Sequence, residues 1–274
     1  MKEPLPRGTA VDARRMRGWL DIFTGYRHTV NEARIDRWLG QFDDADRDLA
    51  SRVLDSVDFI SAGQITQGFR AILQGLPGWS ANEGERQGRW RFVALSASAG
   101  ESGDSMLHRF RIANNLTGRQ YTDLFVHKRD LLGERLGPQD VVVFVDDFAG
   151  TGNQVSEHWP ELAELLPGSP TVYLALIAAT RDARERIAAQ TRLAVIPHIE
   201  LTAQDNIFGE ACHHFTAQER DVLLRYCTTA NARSPRGFGD SGLVTVLAHT
   251  CPNNSIPILH ASHPQWEGLF RRHD

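Results

Sequence analysis

The sequence predicts an α/β protein, a mostly parallel sheet flanked by helices, with a helical N-terminal extension. Three observations carry that prediction. Apolar runs such as "VVVFV" (141–145) and "TVYLALIAAT" (171–180) do not alternate with polar residues, as expected of strands buried on both faces. Helical patterns lie between those runs, the order in which β-α-β units are written. The first quarter carries helical periodicity without a comparable apolar run. With 274 residues and 41% hydrophobic composition, the chain is ordinary for a soluble globular protein. It is long enough for one large domain or two modest ones. Chains of about 300 residues bury about 75% of their unfolded surface, so this core needs no covalent staples.

The elements follow in order. In "DDADRDLASRVLDSVDFI" (43–60), Ala45, Leu49, Val53, Val57 and Ile60 recur at steps of three or four, which lines one helix face. Asp43, Asp44 and Asp46 stand where a helix start favours negative charge. "ITQGFRAILQGL" (65–76) is a second helical pattern, and "PGWSANEGERQG" (77–88) is rich in Gly, Pro and polar residues and reads as a linker. The expected division is therefore a helical region, residues 1–80, packed on an α/β domain, residues 88–274. In the latter, "WRFVALSA" (90–97), "TDLFV" (122–126), "VVVFV" (141–145), "TVYLALIAAT" (171–180) and "LAVIPHIELT" (193–202) are expected strands. "DSMLHRFRIANNL" (104–116), "NQVSEHWPELAELL" (153–166) and "RDARERIAAQ" (181–190) are expected helices.

Composition excludes several functions. The net charge of −4 argues against a duplex-DNA binder, which carries a basic stripe. Lysine occurs only at Lys2 and Lys128, an arginine excess read here as compositional, although arginine suits oxyanion binding. Cys212, Cys227 and Cys251 match no zinc spacing and no disulfide framework, so they are read as reduced thiols of a cytoplasmic protein. The polar start "MKEPLPRGTAVDARRMRGW" is not expected to act as a signal peptide, and no run of 18 apolar residues is present to span a membrane.

The chemistry concentrates in "VVVFVDDFAGTGNQV" (141–155). Ligands of open parallel sheets bind beyond the carboxyl ends of the strands, and Asp146 and Asp147 stand at such an end. The glycines that follow permit a tight turn and close approach to a ligand. Backbone N–H groups at the next helix start then converge, and the helix dipole favours an anion there. Loop 148–154 can thus cradle a phosphate, with Thr151 adding a hydroxyl. The paired carboxylates can accept hydrogen bonds from sugar hydroxyls or help bind Mg²⁺, which prefers oxygen ligands. A phosphate cup beside two carboxylates suits a phosphorylated sugar. Asp and Gly alone mark turns; their combination after an apolar run and before a helix is what points to function. The Walker loop is excluded, because it needs a lysine.

"VFVDDFAGTGNQ" resembles the phosphoribosyl-diphosphate (PRPP) loop of type I phosphoribosyltransferases, in which Asp146, Asp147, Thr151 and Gly152 match position by position. Gln154 replaces the usual final hydroxyl residue. The resemblance implies that Asp146 and Asp147 hold the ribose hydroxyls and are the catalytic and Mg²⁺-binding residues. It implies that Ala149, Gly150, Thr151, Gly152, Asn153 and Gln154 hold the 5-phosphate. "DDFAGTGNQ", "FGDSGLVTV" (238–246) and "CPNNSIPIL" (251–259) further resemble phosphoribosyltransferase-like proteins associated with bacterial conflict and stress systems. That likeness implies a role in bacterial defence or stress and a protein partner from such an operon. A pyrophosphate loop is expected in "SASAGESGDS" (96–105), through Ser98, Gly100, Ser102 and Gly103, with Arg109 just beyond. C-terminal lid or hood elements would receive the acceptor.

Two functional readings stand at this stage. One is a Mg²⁺- and PRPP-dependent transferase, or a hydrolase of a related phosphosugar or nucleotide. The other is a PRPP- or nucleotide-sensing module that has lost catalysis, which Gln154 favours. The sequence leaves the oligomeric state open. "GDSG" (239–242) is read as a turn, since no protease histidine segment accompanies it. "CHHF" (212–215) is read as structural, because adjacent residues point in different directions. The tryptophans are read as packing residues.

Overall fold

The computed structural model describes residues 11–95 and 102–272. Along the chain lie α1 (Ala13–Phe23), α2 (Glu32–Leu39), α3 (Arg47–Ser56), β1 (Asp58–Ile60) and α4 (Ala62–Gly75). Then come β2 (Trp90–Ala94), α5 (Ser102–Ala113), β3 (Val141–Ala149), α6 (Asn153–Glu164), β4 (Thr171–Thr180), α7 (Arg181–Gln190) and β5 (Ala194–Leu201). The C-terminal part holds α8 (Ala217–Ala230), β6 (Thr245–Leu247), α9 (Pro257–His260) and the short strands β7 (Ser262–His263) and β8 (Trp266–Glu267). No helix among the described residues is long and apolar enough to cross a membrane.

The chain divides into two compact units, Met1–Ala62 with Ala203–Asp274, and Gly63–Thr202. The division does not fall at 77–88. That stretch is tied into the sheet unit: the Trp79 ring lies 5.2 Å from those of Trp90 and Phe92, and the Gln87 amide donates to the Gly78 carbonyl. The N-terminal helices share their core with the C-terminal segment instead.

The sheet unit holds four parallel strands in the order β2-β3-β4-β5. Helices cover both faces, as the unbroken apolar runs require. Phe92 packs on Phe110 of α5, which meets Phe69 of α4. Val93, Phe144 and Leu174 share a cluster with Trp159 and Leu162 of α6 and Ala183 and Ile187 of α7. Pro197 is placed in the edge strand β5, where a missing backbone donor is tolerated. The expected strand at 122–126 is a 3₁₀ turn, Arg119–Leu124. Thr122 Oγ1 donates to the Arg119 carbonyl and the Phe125 amide to that of Thr122. These local bonds leave a single bridge from Phe125 to Phe92.

In the other unit, residues 43–60 do not form one helix. A 3₁₀ turn at Asp44–Asp46 leads into α3, and Val57 ends it with extended backbone. Phe59 and Ile60 then enter β1, which pairs in parallel with β6. The apolar spacing is satisfied all the same, since Leu49, Val53, Val57 and Ile60 are buried. The core gathers Trp19, Trp38, Phe42, Leu223, Ile258, Trp266 and Phe270. The Trp38 and Trp266 indoles both donate to the Ile258 carbonyl, at 2.7 and 3.0 Å.

Candidate functional site: a strand, a pinned glycine loop and a helix start

Strand β3 continues through Asp146 and Asp147 to Ala149, so the acidic pair lies within the strand and not beyond it. The reason is register: Asp146 pairs with Leu176 and Ala149 with Ala179 on β4, which is long and apolar enough to extend the ladder. Adjacent residues of a strand point to opposite faces. The two carboxylates differ accordingly: Asp146 is half-buried, while Asp147 is 7% exposed. Asp146 Oδ1 accepts the Asp147 amide at 2.9 Å.

Residues 150–152 form the loop, and α6 starts at Asn153. Gly152 sits at φ +75°, a left-handed conformation that glycine adopts without strain. A Cβ there would also stand 2.9 Å from the Ala183 carbonyl oxygen of α7. Three contacts pin the loop. Thr180 Oγ1, at the end of β4, donates to the Gly150 carbonyl at 2.6 Å. Gly152 abuts α7, and Arg186 of α7 donates to Asn153 Oδ1. Among the described residues, the Asn153 amide reaches only Thr151 Oγ1, at 3.4 Å. Among the described residues, the amides of Thr151 and Gly152 donate to no internal acceptor. A carbonyl is thus held back while the amides are left at a helix start, the arrangement that receives an anion.

Of the other expected residues, Ala149 is buried at the strand end, Gly150 and Thr151 are half-buried and Gln154 is exposed on the first turn of α6. Ser98 and Gly100 lie outside the described residues. Ser102 opens α5 and Gly103, its second residue, is buried. Strands β2 and β3 are parallel, with Ala94 opposite Val145 and the Leu95 amide bonded to the Val145 carbonyl. The chain therefore leaves β2 at the same sheet edge as the glycine loop. Arg109 is half-buried on α5. Arg111, by contrast, is committed to the fold, with Nε on the Leu116 carbonyl and its guanidinium over the Phe125 ring.

Sequence reasoning missed Thr180 and Arg186. Thr180 had a local signal, since it caps α7 by accepting the Ala183 amide at 3.0 Å; its second bond, to Gly150, spans thirty residues and leaves no pattern. The weaker motifs are structural. Ser241 Oγ of "GDSG" donates to the Phe238 carbonyl and accepts from Asn254 Nδ2. In "CHHF", Cys212 is buried while His213 and His214 are exposed. Among the described residues no three His, Cys, Asp or Glu side chains form a metal-holding group. "FGDSGLVTV" and "CPNNSIPIL" interlock through Phe238 N–Asn253 O, Leu243 N–Asn254 O and Ile256 N–Leu243 O bonds of 2.8 to 3.2 Å.

A parallel sheet with an acidic strand end, a glycine loop and a helix start defines a phosphoribosyltransferase-like α/β protein. A family model described as PRTase-CE matches residues 35–272, and the chain belongs to that family. No curated protein and no solved structure matches the chain.

Proposed function

We propose that this chain binds PRPP, or a related ribose phosphate or nucleotide, at the β3–α6 loop and acts at ribose C1. The observation that carries this reading is the pinned loop 150–152, with the Thr151 and Gly152 amides open at the start of α6. The 5-phosphate is assigned to that loop. Asp146, the less buried carboxylate, is assigned the ribose hydroxyls; buried Asp147 supports the strand beneath it. Asp146 also suits Mg²⁺, which is commonly held by one or two carboxylates together with substrate oxygens. When bound, Mg²⁺ would neutralise diphosphate charge. The C1–O bond to the diphosphate breaks with its electron pair leaving on pyrophosphate, and an acceptor or water bonds to C1 and loses a proton. The protein's share is placement and charge stabilisation. A role in bacterial defence or stress, with a protein partner, belongs to the same proposal and draws its support from the motif resemblance.

A second reading, a sensing module without catalysis, is favoured by exposed Gln154, which withholds a hydroxyl from the cup. Calorimetric titration with PRPP, ribose 5-phosphate and nucleotides, with and without Mg²⁺, tests binding. Pyrophosphate release under the same conditions separates the two readings: tight PRPP binding without release selects the sensor. Absence of binding by all of these ligands overturns both.

A further inference from the structure

The unit built from the two chain ends carries a second concentration of positive charge. Arg27, Arg34 and Arg272 act electrostatically on Tyr26, whose hydroxyl donates to the Arg271 carbonyl at 2.7 Å. Arg271 ion-pairs with Glu267, which is also the carboxylate acting on Arg34. Burial, and next the charge of Arg271, hold the Arg34 guanidinium below its ordinary pKa. Among the described residues, Arg34 Nε and Nη2, Arg271 Nε and Arg272 Nε are buried with no hydrogen-bond acceptor. Buried guanidinium N–H groups without acceptors are costly, and native structures satisfy nearly all such groups.

Two of these arginines, Arg271 and Arg272, line a cavity of about 830 Å³, within the usual range for small-molecule sites. Arg233, Arg271 and Arg272 line it together with Thr229, Asn231 and His263, and among the described residues no carboxylate does. His263 is engaged within the fold: Nε2 lies 2.8 Å from the Ala230 carbonyl oxygen and Nδ1 lies 3.3 Å from the Gln265 amide. The permanent positive charge is that of the guanidinium groups, whose planar fork matches phosphate oxygens. Among the described residues no Phe, Tyr or Trp lines the cavity, so they offer no stacking platform for a base.

We propose that this cavity is a separate binding site for a small phosphate or diphosphate ester with a polar body. It shares no residue with loop 150–152 and does not rest on the function assigned to that loop.

Calorimetric titration of the full chain with inorganic pyrophosphate tests it, using Thr151→Asp to close the glycine loop by charge. The Thr151→Asp protein retains one pyrophosphate site. Adding Arg233→Gln, an exposed position whose replacement leaves the core untouched, weakens that site at least tenfold; adding Arg272→Gln as well weakens it about a hundredfold. Each step removes charge-assisted donors. Loss of all pyrophosphate binding in Thr151→Asp overturns the proposal, as does unchanged affinity in the folded Arg233→Gln variant. A single-stranded RNA of 20 nucleotides bound more tightly than pyrophosphate, and lost with the same arginines, replaces the small ligand with nucleic acid and also overturns it. If only the loop reading is wrong, wild type and Thr151→Asp bind pyrophosphate alike and the arginine variants still lose it.

Discussion

The anion sites proposed for the two units are of two different kinds. In the sheet unit the donors are backbone amides of one short stretch, aimed by a strand, a glycine and a helix start. In the other unit the proposed donors are the guanidinium groups of Arg233, just after α8, and of Arg271 and Arg272 near the far end of the chain, and Arg34 of α2, more than two hundred residues away, feels the charge of Arg271. The first arrangement carries almost no net positive charge and depends on conformation. The second carries charge in excess. A loop of this kind is sensitive to a single Cβ, whereas a guanidinium cluster loses affinity one charge at a time.

The largest test of that contrast is Gly152→Val. Left-handed backbone costs a β-branched residue about 1–2 kcal/mol, and the added atoms would crowd the Ala183 carbonyl at 2.9 Å, for which overpacking adds typically about 1–3 kcal/mol. Urea unfolding should show a loss of about 3 kcal/mol together with loss of PRPP binding. Wild-type stability in this variant would show that the loop is not pinned against α7.

Acid provides the next test, within the chain-end unit. In the chain-end unit, the Arg52 hydrogen bond holds the Glu219 carboxyl down to about 2, with the Thr216 amide helping. A depressed carboxylate stabilises the fold fully above its unfolded pKa of about 4.5 and loses that contribution as pH falls towards 2. Glu219→Gln should therefore cost on the order of 2–3 kcal/mol at pH 7, since a tenfold change in proton affinity corresponds to about 1.4 kcal/mol. The deficit should shrink between pH 4.5 and 2. A deficit independent of pH would assign the effect to the capping box of α8 and not to the ion pair.

The acidic pair comes third. Asp146→Asn should weaken PRPP binding by about 2 kcal/mol, as loss of hydrogen bonds to a charged acceptor implies, with the melting temperature unchanged. Asp147→Asn should lower the melting temperature more than Asp146→Asn does, because Asp147 is buried at 7% exposure. Equal effects of the two on both measurements would contradict their placement on opposite faces of β3.

The smallest expected effect is a near-null. All three cysteines are buried in the chain-end unit, and burial pushes the Cys251 thiol up to about 12 and the Cys227 thiol higher. Thiolates are the reactive form, so native protein should label negligibly at about pH 8, and labelling in mild urea should follow the opening of this unit alone. Rapid labelling of Cys227 without denaturant would contradict its burial.

Much of the fold was legible because local rules and tertiary packing agree. The run Thr171–Thr180 and the pattern Arg181–Gln190 match β4 and α7 residue for residue, since an unbroken apolar run bounded by a helix cap at Thr180 fits a covered strand. The glycine loop was legible because its donors are contiguous. The reading of 122–126 as a strand failed because side-chain and turn bonds at Thr122 outcompete the sheet ladder. The single helix expected over 43–60 failed because β6, nearly two hundred residues away, offers Asp58–Ile60 a pairing edge.

The sequence by itself determined the α/β class, the strand-loop-helix cup and the absence of a disulfide framework among three widely spaced cysteines, all consequences of spacing along the chain. Only the tertiary structure decided which partner covers the N-terminal helices, which aspartate lies buried, that Thr180 and Arg186 fasten the loop, and that Arg34 meets Arg271. Hydrophobic faces specify that they be buried but not against what, and charges far apart in the chain leave no period to read; their meeting is set by the packing that brings the chain ends together.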